Sequence, residues 1–144
     1  MKKTLLISGF LISSLGLAAP SYAVNEKDCA IWLCLPQGFP SGCGDAKSAF
    51  KDRLKKFKPP LPDFGQCIVK DAPIQGATMT SRETPAARMQ DGSFIDGQKC
   101  VRYVDSGGQD HQLIWEPKGC VSTWYFTETF MDGQKYGNKY YYQR

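Results

Sequence analysis

Six cysteines, at positions 29, 34, 43, 67, 100 and 120, all follow an N-terminal segment built like an export leader, and that combination constrains the chain more than anything else in it. Lys2 and Lys3 precede an apolar run from Leu5 to Ala19, and Pro20-Ser21-Tyr22-Ala23 places small residues three and one positions before a cut. Residues 1–23 read as a signal peptide, with the mature chain starting at Val24. Gly9, Ser13, Ser14 and Gly16 interrupt the run, which argues for removal over retention as a membrane anchor. No cysteine stands directly after the cut, so a lipid-anchored product is not indicated. An even number of cysteines in a small exported chain predicts disulfides and an oxidising compartment, here the periplasm.

Removing 23 residues from 144 leaves 121, the size of one domain. Such a chain can bury a core yet gains from crosslinks, each contributing about 2–4 kcal/mol. The formal charge of +4 includes Lys2 and Lys3, so the mature chain carries +2, too little to imply a nucleic-acid partner by itself. The charge is uneven. Lys47, Lys51, Arg53, Lys55, Lys56 and Lys58 crowd one short segment opposed only by Asp45 and Asp52.

The element pattern predicts an α+β domain: a disulfide-linked helical hairpin over 24–70, an irregular connector over 71–92, and an antiparallel β meander over 93–144 packed on the helices. Lys27 to Leu35 is short, apolar and bounded by Pro36, which suits a two-turn helix. After a turn-forming stretch from Pro36 to Gly44, Asp45 can cap a second helix that runs to about Phe57 and stops at Pro59-Pro60. Ala46, Ala49, Phe50, Leu54 and Phe57 fall on one side of it and the lysines on the other. Cys29 and Cys34 point about 140° apart around a helix and need separate partners. Leu61 to Gln66 should run extended back over the helices and deliver Cys67. If the helices are antiparallel, the nested pairs Cys34 with Cys43 and Cys29 with Cys67 are favoured among the fifteen connectivities that six cysteines admit.

The connector is rich in Thr, Ser, Pro and Gly and poor in bulky apolar residues, with room for one helical turn at Pro85 to Met89. Beyond it, Ser93-Phe94-Ile95, Lys99 to Val104, His111 to Trp115, Cys120 to Phe130 and Tyr136 to Tyr142 read as strands. Cys100 and Cys120, taken as neighbours in that meander, make the third pair. Phe94-Ile95-Asp96-Gly97-Gln98-Lys99 recurs as Phe130-Met131-Asp132-Gly133-Gln134-Lys135, and two Asp-Gly hairpins explain the echo more simply than two copies of a binding loop.

Catalytic constellations are hard to assemble. His111 is the single histidine, and its neighbour Asp110 would point to the opposite face of a strand. No Cys-x-x-Cys or His-x-x-x-His pair exists for zinc or thiol redox chemistry, and no cofactor is implied. Of Glu26, Glu83, Glu116 and Glu128, none sits in a setting that suggests a buried general acid, so a non-enzyme is expected. Two surfaces stand out instead: the basic face with Lys47, Lys51, Lys55, Lys56 and Lys58, and the aromatic strands with Trp115 and Trp124. The plainer reading makes the lysines a solvated helix face and half the aromatics core.

Cys29-Ala30-Ile31-Trp32-Leu33-Cys34-Leu35-Pro36, followed by Cys43-Gly44-Asp45-Ala46-Lys47-Ser48-Ala49-Phe50, then Phe57-Lys58-Pro59-Pro60-Leu61-Pro62 and Cys67, resembles the TrbM/KikA/MpfK family of conjugal transfer proteins. The resemblance covers about residues 26–67, and nothing from Ile68 onward carries it. It implies a periplasmic accessory of a type IV secretion system that moves plasmid DNA between cells, partnered by a protein component of that apparatus, and it supplies no catalytic residues. Direct nucleic-acid binding is not expected, while a membrane surface stays open as a second contact. Two rivals remain: a secreted inhibitor or toxin-like factor directed at the envelope, and a peptidoglycan-acting enzyme.

Overall fold

The computed structural model describes residues 25–68, 76–105, 107 and 112–144. The expected signal peptide, residues 71–75 of the connector, Asp110 and His111 lie outside the described residues.

The Asn25 side chain accepts a hydrogen bond from the Lys27 amide (3.1 Å) and starts α1 (Glu26–Cys29). Ala30 links it to α2 (Ile31–Cys34), which tightens into a 3-10 turn over Leu35–Gln37 and ends at Gly38 with φ of 77°. The expected two-turn helix is thus two shorter pieces joined where Ala30 relaxes to ψ of −18°. The next helix, α3 (Gly44–Lys55), begins two residues early: Cys43, tethered to Cys34, is its cap, and Asp45 falls inside the first turn. There Asp45 still favours the positive end of the helix and approaches Lys27 at 3.6 Å. Ala46, Ala49 and Phe50 are buried and Leu54 half-buried.

Phe57 departs from the sequence reading. It is 88% exposed, because the chain turns out of the helix in a Schellman motif whose left-handed position it occupies at φ of 54°. The Phe57 amide donates to the Leu54 carbonyl (3.0 Å) and the Lys58 amide to that of Arg53 (2.9 Å). Glycine normally holds this position, since a side chain there costs about 1–2 kcal/mol.

The return segment packs over the helices. Leu61 is buried, Trp32 Nε1 donates to the Pro62 carbonyl (3.1 Å), and Trp32 meets Phe64 edge-on at 5.4 Å. Arg53 donates to the carbonyls of Pro59 (2.8 Å) and Leu61 (3.1 Å) and to the Asp28 carboxylate (2.7 Å). A 3-10 turn over Phe64–Gln66 presents Cys67 to Cys29.

The irregular connector is corrected by an eleven-residue strand, β1 (Met79–Met89), which also replaces the helical turn expected at Pro85 to Met89. Pairing far along the chain makes it a strand: β5 (Cys120–Met131) runs antiparallel along its whole length, and β2 (Phe94–Asp96) takes the other edge at Ala86 to Arg88. Pro85 is tolerated because its backbone groups point to the β2 side, beyond the end of that ladder, where its carbonyl accepts from Gly97 N (2.8 Å). Its missing N–H therefore breaks no bond to β5. The β6 strand (Gln134–Tyr142) completes the sheet in the order β2-β1-β5-β6.

This is not the single meander expected. Among the described residues, the strands β3 (Val101–Asp105) and β4 (Gln112–Glu116) pair only with each other, as a separate two-stranded hairpin. The Cys100–Cys120 disulfide closes the base of that excursion instead of joining neighbouring strands. The two Asp-Gly copies also differ. Asp132 (φ 49°) and Gly133 (φ 80°) make a two-residue hairpin turn with both central residues left-handed. At the first copy only Gly97 is left-handed, and Asp96 stays in β2, where its carboxylate holds Lys139 and Tyr141.

One core joins the layers. Ile31, Trp32, Leu35, Phe39, Phe50 and Leu61 pack against Met79, Tyr140 and Tyr142 on one face of the sheet. Phe50 meets Tyr140 and Tyr142 edge-on at 5.5 and 5.0 Å, as aromatic quadrupoles prefer. The strand β6 bulges where residues 137–139 lie opposite Glu128 alone, and Gly137 (φ 74°) lets the backbone press against Pro36.

Candidate functional site

The predicted contact residues fall on three separate surfaces. Lys47, Lys51 and Lys55 stand four residues apart along the outside of α3, and Lys56 and Lys58 follow around its end. All five are exposed, and none has an ion-pair partner within 4.0 Å among the described residues. Like charges at that spacing repel by about 0.2–0.5 kcal/mol per pair, so the stripe works against the helix that carries it. Lys56 and Lys58 border a cleft of about 400 Å³ that also carries Asp28, Asp45 and Asp52, of which Asp28 and Asp45 pair with Arg53 and Lys27. Lys51 and Lys55 border a different notch, about 260 Å³, with Leu54, Phe57, Gln143 and Arg144. The lysines that meet an apolar floor without facing acids are therefore these two.

The two tryptophans do not share a surface. Trp115 lies on the β3–β4 hairpin, 40% exposed, with Arg102 over its ring at 5.4 Å and with Val104 and Leu113 exposed beside it. Trp124 lies on the sheet face opposite the helices, half-buried, where Arg88 spans its ring (5.0 Å) and that of Phe94 (5.1 Å). Of the C-terminal tyrosines, Tyr140 and Tyr142 enter the core, while Tyr141 stacks on Phe94 at 4.1 Å on the outer face.

That outer face also holds a cluster the sequence reading missed. Glu128 is 5% exposed and receives Arg82 (2.8 Å) and Lys135 (2.9 Å), with Lys139 at 4.0 Å. Lys139 also lies over Phe126 at 4.7 Å. The strand's parity was the available signal: Glu128 shares its side of β5 with Phe126 and Phe130, so it had to lie among aromatics. The hydrogen bond from Arg82, with Lys135 and Lys139, outweighs burial and holds the Glu128 carboxyl below its ordinary pKa. For Glu83, burial pushes upward, but the Arg144 fork (2.8 Å to each oxygen) and the Tyr142 hydroxyl pull the pKa down. A general acid needs the opposite shift, so neither glutamate suits that role.

Both depressed carboxyls act on stability with the same sign. Their contribution is full above the unfolded value near 4.5 and is lost as pH falls through the lower folded values. The melting temperature should therefore decline below about pH 4.5, and Glu83→Gln/Glu128→Gln should flatten that decline while melting lower at pH 7. Thermal melts from pH 3 to 7 check this, and an equally steep acid limb in the double variant would refute the assignment.

No protein-family model, curated protein or solved structure matches the chain. The three disulfides Cys29–Cys67, Cys34–Cys43 and Cys100–Cys120 point to an oxidising, extracellular or periplasmic compartment. Among the described residues, no helix is long and apolar enough to cross a membrane.

Proposed function

We propose that this protein is a periplasmic accessory of a plasmid conjugal transfer apparatus, a type IV secretion system, and acts by protein–protein contact through the outer face of α3. The observation that carries the reading is the lysine stripe Lys47, Lys51 and Lys55, exposed and without a described counterion on a helix whose start is crosslinked. A rigid element that keeps mutually repelling charges outward is suited to an acidic protein surface. The resemblance of residues 26–67 to the conjugal transfer family supplies the apparatus. The oxidising compartment indicated by the three disulfides agrees with it.

In donor cells, Lys51→Glu/Lys55→Glu/Lys56→Glu should leave the melting temperature within a few degrees of the parent. Co-purification of the transfer component at low salt should fall about tenfold, because the reversed charges now repel the partner. Equal capture by parent and variant would remove the basic face from the mechanism, and normal plasmid transfer without the protein would remove the apparatus.

A further inference from the structure

Among the described residues, two aromatic side chains sit in the left-handed region, and only one of them has a structural reason to be there. Phe39 (φ 55°) is 9% exposed and packs on Phe50 and Tyr140 at 5.4 and 5.0 Å, so apolar burial offsets its backbone strain. Phe57 (φ 54°) has the same strain and is 88% exposed, so no burial among the described residues offsets it. The turn that ends the preceding helical segment places glycine, Gly38, in the corresponding position. A bulky side chain held in a glycine position and left in water is an outlier whose compensation lies outside the chain.

Its surroundings specify what supplies that compensation. Phe57 and Leu54 make the apolar part of the 260 Å³ notch, and Lys51 and Lys55 stand at its rim. Arg144 closes another side but is committed to Glu83 through both carboxylate oxygens, so recognition charge comes from the two lysines. A concave apolar floor rimmed by cations takes one apolar side chain flanked by carboxylates. A bilayer surface is flat and would meet Phe57 while leaving the notch unfilled, and a lone aromatic is a small apolar face for a membrane anchor.

We propose that this notch captures an acidic polypeptide segment by seating one apolar side chain between Leu54 and Phe57, with Lys51 and Lys55 holding the flanking carboxylates. The inference rests on the reading of α3 as a protein-contact face and names the chemistry of the segment it receives. Phe57 is retained against backbone strain because the bound partner buries it.

The test uses the full oxidised protein and three capped peptides, Glu-Glu-Leu-Glu-Glu, Glu-Glu-Ser-Glu-Glu and Lys-Lys-Leu-Lys-Lys, followed by amide chemical shifts at low salt. The leucine-centred acidic peptide should bind, move the signals of Leu54, Lys55 and Phe57, and weaken with added salt; the other two should bind at least tenfold less tightly. Phe57→Gly should melt no lower than the parent yet lose about 20-fold or more in affinity for that peptide, and Phe57→Asn should behave alike. Equal binding by parent and Phe57→Gly, or a Phe57→Gly protein that melts well below the parent, would overturn the inference. So would loss of binding to phosphatidylglycerol vesicles with peptide binding intact, which would assign Phe57 to a lipid surface. The two readings fail separately: peptide capture with normal plasmid transfer in cells lacking the protein sinks only the conjugation reading, and transfer that depends on the protein but not on Phe57 sinks only the notch.

Discussion

Gly137→Ala should lower the melting midpoint by about 10 °C, the loss of about 3 kcal/mol in a chain of this size. Two separate penalties meet at this residue. Its φ of 74° belongs to the left-handed region, which a Cβ disfavours. The same Cβ would stand 2.6 Å from the Pro36 carbonyl oxygen and 2.9 Å from its Cα, closer than real Cβ atoms approach anything. Pro36 cannot yield, because it is buried in the 3-10 turn that follows α2, and β6 cannot retreat without pulling Tyr140 and Tyr142 off Phe50. Gly133→Ala is the internal control. It has φ of 80° in the β5–β6 turn but nothing within 4 Å of the new methyl, so it should lose only the backbone part, about 1 kcal/mol. Chemical or thermal melts of both variants separate the effects, and equal losses would mean that the closeness of β6 to Pro36 does not hold the layers together.

Gly137 also marks where sequence reasoning stops. Its neighbours Tyr136 and Tyr140 read as strand, but nothing local says that the strand bulges there or that a proline a hundred residues earlier lies against it. What could be read locally was periodicity and turn chemistry. The 3.6-residue spacing of Ala46, Ala49 and Phe50 places the buried side of α3, and Asp132-Gly133 specifies a hairpin because adjacent residues there can both turn left-handed. The β1 strand escaped because its first half, Thr80 to Glu83, is exposed and polar, and its strand character comes from pairing with residues more than 30 positions away in β5. Propensity cannot register a partner at that distance.

The candidate site divides the same way. Periodicity puts the lysines of α3 on its outer face, a property of one helix. Which lysines face an apolar floor depends on where Gln143 and Arg144 arrive at the far end of the chain. The exposure of Phe57 depends on a left-handed turn at a residue whose identity argues against one. The two tryptophans looked like one aromatic surface because both lie in strands, but the hairpin is a separate sheet, and membership of a sheet is a long-range fact.

Removing Cys29–Cys67 should destabilise the protein most among its three crosslinks, by about 4 kcal/mol, against about 3 for Cys100–Cys120 and about 2.5 for Cys34–Cys43. The order follows from the sequence separations of 38, 20 and 9 residues, because a longer closed loop removes more freedom from the unfolded chain. Native contacts push the same way for the first pair. Cys67 ends the return segment that buries Leu61 and supplies the Pro62 carbonyl to Trp32, so its release loosens the cover of the helical core. The competing expectation comes from Cys43, which caps α3 and, through Cys34, fixes where that helix starts. Paired Cys→Ser variants, unfolded in urea under oxidising conditions, decide between them. If loss of Cys34–Cys43 exceeds loss of Cys29–Cys67, then positioning the basic helix in the native state outweighs restriction of the unfolded chain. The stability of this fold would then rest on the same helix that carries its contact surface.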